Sequence, residues 1–249
     1  MNYASKRLLY LQYTTGRIAV WFVAPLLYVV LKCMGYRFRN LAATRQRVRE
    51  LLDSHRGPWI LCPNHLTMID SALVSYALMP MHRYLFDYHL VPWNLPERAN
   101  FQRNIVLSVF CYLTKCIPIS RGGDRTRIKH TLEKCTYLLE QKEQLLIFPE
   151  GGRSRTSRVD TENFSYGVGR LVRTVPNCHV LCIYLRGDRQ DTYSNIPRFG
   201  ERFTVSVDAL APCTTSSGLK AQRECARQIT EHLAHMEEEY YAVRRKRHS

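Results

Sequence analysis

Three short apolar runs, WILC at 59–62, QLLIF at 144–148 and HVLCIYL at 179–185, are separated by segments whose apolar residues recur at helical spacing. Unbroken apolar runs of this length read as strands buried on both faces, since a half-exposed strand alternates with polar positions. Pro63 and Pro149 close the first two, because proline brings no backbone donor and biases the residue before it toward extended geometry. Between them, Ile69, Ala72, Leu73, Tyr76 and Ala77 form a helical face that stops at Pro80, and Ile128, Leu132, Cys135, Leu138 and Leu139 form another. NIVLSVFCYLTK (104–115) is predicted as a helix, CIPIS (116–120) as a strand, and RFTVSV (202–207) as an alternating edge strand. Near the C-terminus, Cys225, Ile229, Leu233, Met236 and Tyr240 make one packing stripe, followed by a basic RRKRH that complements the helix dipole. The polar, basic segment 37–57 is predicted as a surface connector. Strands alternating with helices of this length predict an α/β fold, with a largely parallel sheet flanked by helices.

Ahead of this pattern lies IAVWFVAPLLYVVL (18–31), closed by Arg17 and Lys32. At about 1.5 Å per helical residue the run covers roughly 21 Å, short of a hydrocarbon core of about 30 Å, which disfavours a straight span. No small-residue cleavage pattern follows it, so a removed signal peptide fits poorly. The preceding residues are basic and tyrosine-rich, a composition that favours the headgroup level. The expectation is an N-terminal hydrophobic helix pair over residues 1–36, dipping into one leaflet from the cytoplasmic face of a membrane. One α/β domain then occupies 37–249. The competing reading is a hydrophobic helix buried in a soluble core.

Charge narrows the partners. Lysine and arginine outnumber aspartate and glutamate by 36 to 21 in 249 residues, a net charge of +15, which points to an anionic surface or substrate. Nucleic acid, acidic lipid and an acidic carrier protein all fit that charge. The aromatic residues lie mainly in apolar patterns rather than between basic ones, which argues against nucleic acid. The nine cysteines include no C-x-x-C pair and sit largely in apolar runs, as reduced, buried thiols in a cytosolic setting would. Cys178, His179 and Cys182 are read as strand core rather than metal ligands, since zinc sites show tighter paired spacing.

Two polar clusters follow predicted strands, at the carboxyl ends where α/β sheets gather their ligand sites. In the first, His65 and Asp70 would stand about 140° apart on a continuous helix, at about 100° per residue. They can touch only if His65 lies on the turn before the helix and Asp70 in its first turn. The carboxylate then fixes the imidazole tautomer and stabilises its protonated form, the logic of a base with an orienter. No G-x-S-x-G supplies a nucleophile, so such a base would deprotonate a substrate hydroxyl or water. In the second cluster, FPEGGRSRT (148–156), Gly151 and Gly152 allow close backbone approach and Arg153 can fork onto phosphate oxygens. Arg155 and Arg158 add positive field. Glu150 is either an ion-pair partner of these arginines or a substrate contact.

NHLTMID (64–70) and FPEGGRSR (148–155) resemble the N-H-x4-D and F-P-E-G-x-R-S motifs of the glycerolipid acyltransferase family, of the lysophosphatidic acid acyltransferase type. KCIPISR (115–121) is similar to the family's third block, ending in Arg121, and FSYGVGRLV and HVLCIYLRG to its later pattern, so the likeness runs from 57 to 187. The resemblance implies transfer of an acyl chain from coenzyme A or acyl carrier protein to a lysolipid hydroxyl, with no acyl-enzyme, cofactor or metal. It implies His65 as general base, Asp70 as its partner, Glu150 and Arg153 as substrate-positioning residues and Arg121 as a phosphate ligand, with Asn64 and Gly151 at matching positions. Lys115 stands where the family usually has glycine and Ser120 where it often has aspartate, which predicts a more positive acceptor site. Acylation of glycerol-3-phosphate or of another lysolipid, a hydrolase using water, and a non-catalytic basic lipid-binding protein are the alternatives.

Overall fold

A computed structural model describes residues 1–101, 104–120 and 122–246. In chain order the elements are α1 (Tyr3–Cys33), β1 (Arg37–Phe38), α2 (Leu41–Ser54), β2 (Trp59–Pro63), α3 (Asp70–Leu78), α4 (Met81–Phe86), a 3-10 turn (Tyr88–Leu90), β3 (Trp93–Asn94) and α5 (Arg98–Phe101). They continue with α6 (Ile105–Leu113), α7 (Arg125–Glu140), β4 (Leu145–Leu146), α8 (Gly167–Thr174), β5 (His179–Gly187), β6 (Arg202–Leu210) and α9 (Gly218–Lys246). Among the described residues, six strands form one sheet in the order β1-β6-β5-β2-β4-β3. Every pairing is parallel except β5 with β6. The predicted α/β class with a mostly parallel sheet is therefore the observed one.

Strand alternation divides the interior in two. Ile60, Cys62, Leu145, Val180 and Cys182 face a core closed by α7, α8 and α9, whereas Trp59, Leu61, Leu146, Leu181 and Ile183 face one closed by α2 and α3. β2 and β5, paired over five residues from Trp59↔His179 to Pro63↔Ile183, run through the middle and are buried on both faces. That double burial is why their sequences read as unbroken apolar runs.

Several local expectations are corrected. The N-terminal pair is one continuous helix of 31 residues. Its Thr14-Thr15-Gly16 triplet does not divide it: both threonine hydroxyls donate to carbonyls one turn back. Gly16 is a point of close approach, where an added Cβ would lie 2.2 Å from the Tyr88 hydroxyl and 2.9 Å from the Leu113 carbonyl oxygen. Residues 41–54, expected as connector, form a helix that buries only Thr44, Val48 and Leu51, a stripe too thin to stand out among its arginines. CIPIS makes only isolated bridges, Cys116 to Asn94 and Ile119 to Glu97, because Pro118 lacks the donor a ladder needs. β6 is not wholly an edge, since β1 pairs with its first two residues.

Candidate active site

β2 ends at Pro63, and the side chain of Asn64 prolongs its pairing. Asn64 Nδ2 donates to the Leu185 carbonyl at 3.1 Å, while Oδ1 accepts from the Leu185 N–H at 2.7 Å. The amide thus stands in for one more peptide unit and fixes where the chain leaves the sheet. His65 lies on the turn that follows, and Asp70 is the first residue of α3.

His65 Nδ1 is 3.0 Å from Asp70 Oδ2. The same oxygen accepts from the backbone N–H groups of Leu66 at 2.6 Å and Thr67 at 2.7 Å, and Oδ1 accepts from the Thr67 hydroxyl. Asp70 is only 1% exposed, so these four donors replace the water that an ionised carboxylate requires. A carboxylate in the first turn of a helix also lies favourably against the unpaired N-terminal amides. Because a carboxylate can only accept, Nδ1 carries the hydrogen and Nε2 is left with its lone pair. The His65 ring is held flat on Phe148 of the second motif, with centroids 3.9 Å apart and planes 20° apart.

β4 lies beside β2, so the second motif emerges next to the first. Glu150 turns to the backbone there rather than to the arginines. Its Oε1 accepts from the His65 N–H at 2.9 Å and its Oε2 from the Asp160 N–H at 3.4 Å, while the Ser154 N–H donates to the His65 carbonyl at 2.9 Å. The second motif therefore holds the His65 backbone at both its N–H and its carbonyl. Burial pushes the Glu150 carboxyl up to about 8, against the opposing pull of the two backbone donors. Gly151 has φ of +70, the left-handed region that glycine enters without a Cβ penalty, and its N–H closes a turn onto the Phe148 carbonyl at 3.1 Å.

The Glu150 shift has a measurable consequence. The folded chain keeps this proton to about pH 8, whereas a solvated glutamate releases it near 4.5. The unfolded chain therefore binds fewer protons across that interval, and stability falls as pH rises through it. In Glu150→Gln, which keeps one acceptor for the His65 N–H and cannot ionise, this fall should flatten. Denaturant titrations at several pH values between 5 and 8 read the difference; parallel curves for the two proteins would refute the assignment.

Arg153 Nη1 donates to the Ser194 carbonyl at 3.0 Å and to Asn195 Oδ1 at 2.8 Å, and the guanidinium lies 5.4 Å from the Tyr193 ring centroid. Among the described residues no carboxylate pairs with it. Arg155 is exposed. Arg158 is engaged elsewhere, 3.5 Å from Glu237 of α9 and over the Tyr241 ring. Glu237 is buried and also accepts from the Val159 N–H and the Tyr184 hydroxyl. It ties the end of the motif loop to the C-terminal helix, and nothing in the periodicity of that helix marked it. Arg121 lies outside the described residues.

Lys115 does not make the site more positive. Its side chain is fully buried, with Nζ donating to Glu143 Oε2 at 2.8 Å and to the carbonyls of Tyr88 and Val91 at 2.9 and 3.0 Å. Burial pulls its pKa down to about 8 against the attraction of Glu143. The backbone there has φ of 54, the region that suits glycine. Cys178 and Cys182 belong to the α7–α9 core, and His179 packs edge-on against His55 with centroids 3.5 Å apart.

Beside Asp70 an apolar cavity of about 350 Å³ opens between α1, α3, α4 and α6. Met68 and Ile69 of the first motif line it with Ala72, and so do Val20, Leu27, Leu107 and Phe110. An apolar cavity lined in part by Met68 and Ile69, which lie between His65 and Asp70 in the chain, suits a substrate that carries a hydrocarbon chain. No curated protein matches the sequence. A family model described as Acyltransferase matches residues 39–186, a range that holds both motifs and ends within β5. With more than half of its length so matched, the chain belongs to the acyltransferase family.

Proposed function

We propose that the protein moves a fatty acyl group from a thioester of coenzyme A or acyl carrier protein to a hydroxyl of a lysophospholipid such as 1-acyl-glycerol-3-phosphate. The observation that carries this reading is the His65–Asp70 contact, with Asp70 held by three further donors and Nε2 left as the basic nitrogen. In the proposed step, the acceptor hydroxyl gives its proton to His65 Nε2 as its oxygen attacks the thioester carbonyl. The tetrahedral intermediate collapses with loss of the thiolate, which takes the proton back from the imidazolium, leaving an ester and a free thiol. Asp70 offsets the imidazolium charge. Glu150, through the His65 backbone, acts as a positioning residue.

The apolar cavity is assigned to the acyl chain and Arg153 to the acceptor phosphate, since its charge has no carboxylate partner among the described residues. Arg121 is kept as a second phosphate ligand on the strength of its motif alone. The enzyme is assigned to an anionic membrane surface at its cytoplasmic face, a reading that the apolar N-terminal helix and the basic charge support.

Assay of both acyl donors against a panel of lysolipids tests the substrate assignment. Arg153→Ala should raise KM for a phosphate-bearing acceptor by about tenfold or more, as loss of a charge-assisted hydrogen bond does, with kcat little changed. An equal loss with a neutral acceptor of the same chain length would show that Arg153 acts elsewhere.

A further inference from the structure

Two helices present apolar residues to solvent on one side and to the cavity on the other. On α1, Ile18, Phe22, Leu26 and Val29 recur along one face, with Phe22 75% exposed, while Val20, Val23 and Leu27 line the cavity. On α6, Ile105 and Val106 are 79% and 73% exposed and Val109 is half-exposed, while Leu107, Phe110 and Cys111 line the cavity. Phe86, 78% exposed at the end of α4, joins them through an edge-on contact with Trp21 at 5.6 Å. Single exposed apolar residues are ordinary on a protein surface, but two neighbouring helical stretches, 18–31 of α1 and 105–113 of α6, with apolar residues on both the open and the cavity side require cover on both.

The packing of α1 restricts what that cover can be. Leu9 sits in the core on one side of the sheet and Leu31 in the core on the other. The two lie 22 residues apart, about 33 Å along a helix, which matches the roughly 30 Å thickness of a hydrocarbon core. Gln12, also buried, donates to the carbonyls of Tyr112 and Cys116 at 3.0 Å. By length and composition α1 could cross a bilayer, yet crossing would pull one of these anchors out of its core. The helix contains no acidic residue, and Lys6, Arg7, Arg17 and Lys32 are all exposed on it, a charge pattern that suits anionic headgroups.

We propose that α1 and α6 form a plate that lies flat on one anionic leaflet, with α6 as a second lipid-contacting element and α1 parallel to the surface. This arrangement sets both cavity-lining helices directly against the acyl chains. The docking rests on the exposed faces and the anchors, and only its use in substrate delivery depends on the acyl-transfer reading.

Trp21 is a built-in depth probe, because Trp59 and Trp93 are buried while Trp21 is 48% exposed at the middle of α1. Full-length protein is mixed with vesicles of phosphatidylcholine containing about one third phosphatidylglycerol, carrying bromine either near the headgroup or near the chain terminus. An in-plane helix sits roughly 5–10 Å into the boundary region, so the shallow bromines should quench Trp21 more strongly. Stronger quenching by the deep bromines would mean that α1 spans, and the proposal would fail. Val106→Glu with Val109→Glu, both on the open face and so neutral to folding by thermal melt, should reduce vesicle partitioning by about tenfold or more. Undiminished partitioning would remove α6 from the plate, and equal binding to pure phosphatidylcholine would remove the anionic leaflet. A lipid-free dimer abolished by the same pair would assign the face to a second copy of the chain. None of these readouts measures acyl transfer.

Discussion

His65→Ala is expected to lose acyl transfer, with a rate lower by about 10² to 10⁴, the range that a positioned general base contributes. The fold should survive. The backbone contacts of residue 65 to Glu150 and Ser154 do not involve its side chain, and Asp70 keeps its bonds from Leu66 and Thr67. What disappears is the ring stacked on Phe148, a contact of about 0.5–1.5 kcal/mol, and one of the four hydrogen bonds to Asp70. Thioester consumption in the presence and absence of a lysolipid, alongside a thermal melt, separates the two effects. A folded variant that retains near-normal, acceptor-dependent transfer would end the general-base assignment.

Asp70 should show a different division, because its carboxylate has two tasks. Asp70→Ala strands two backbone N–H groups, a hydroxyl and the imidazole in a site that is almost sealed from water. Each buried donor left without a partner costs about 1–3 kcal/mol, so the loss is comparable with a domain's whole margin of about 5–15 kcal/mol. This variant should be poorly folded. Asp70→Asn keeps a carbonyl oxygen for the backbone N–H groups and for His65 Nδ1, so the turn and the tautomer survive while the negative charge is lost. Its kcat should fall by about 10²-fold, toward the lower end of what a general base supplies, with KM nearly unchanged. Equal stability of the alanine and asparagine variants would show that the carboxylate is not the hub of the turn. An asparagine variant with full kcat would show that no imidazolium forms in the slow step.

Much of the site was legible because its chemistry is local. His65 and Asp70 are five positions apart, and a turn followed by a helix start is the one local geometry that lets them meet, which is the geometry observed. The positions of both motifs just after buried strands were likewise readable, since an unbroken apolar run ended by proline needs no distant partner to be recognised. Glu150 was less legible. Its neighbours in sequence are arginines, but its neighbours in space are the backbone N–H groups of His65 and Asp160. Lys115 misled in the same way: counted as a charge it enriches the site, yet its three acceptors come from residues 24 to 28 positions away and enclose it completely.

The amino-acid order by itself determined the α/β class, the two motif turns and the long apolar N-terminal segment, all of which follow from periodicity and turn chemistry within a window of a few residues. Only the tertiary structure decided that β4 lies against β2, bringing Phe148 and Glu150 onto His65, and that α1 is anchored in both cores as a single helix. Strand order and helix docking arise from pairings between residues far apart in the chain. Their free energy comes from burying one surface against another, and no local stretch contains both surfaces.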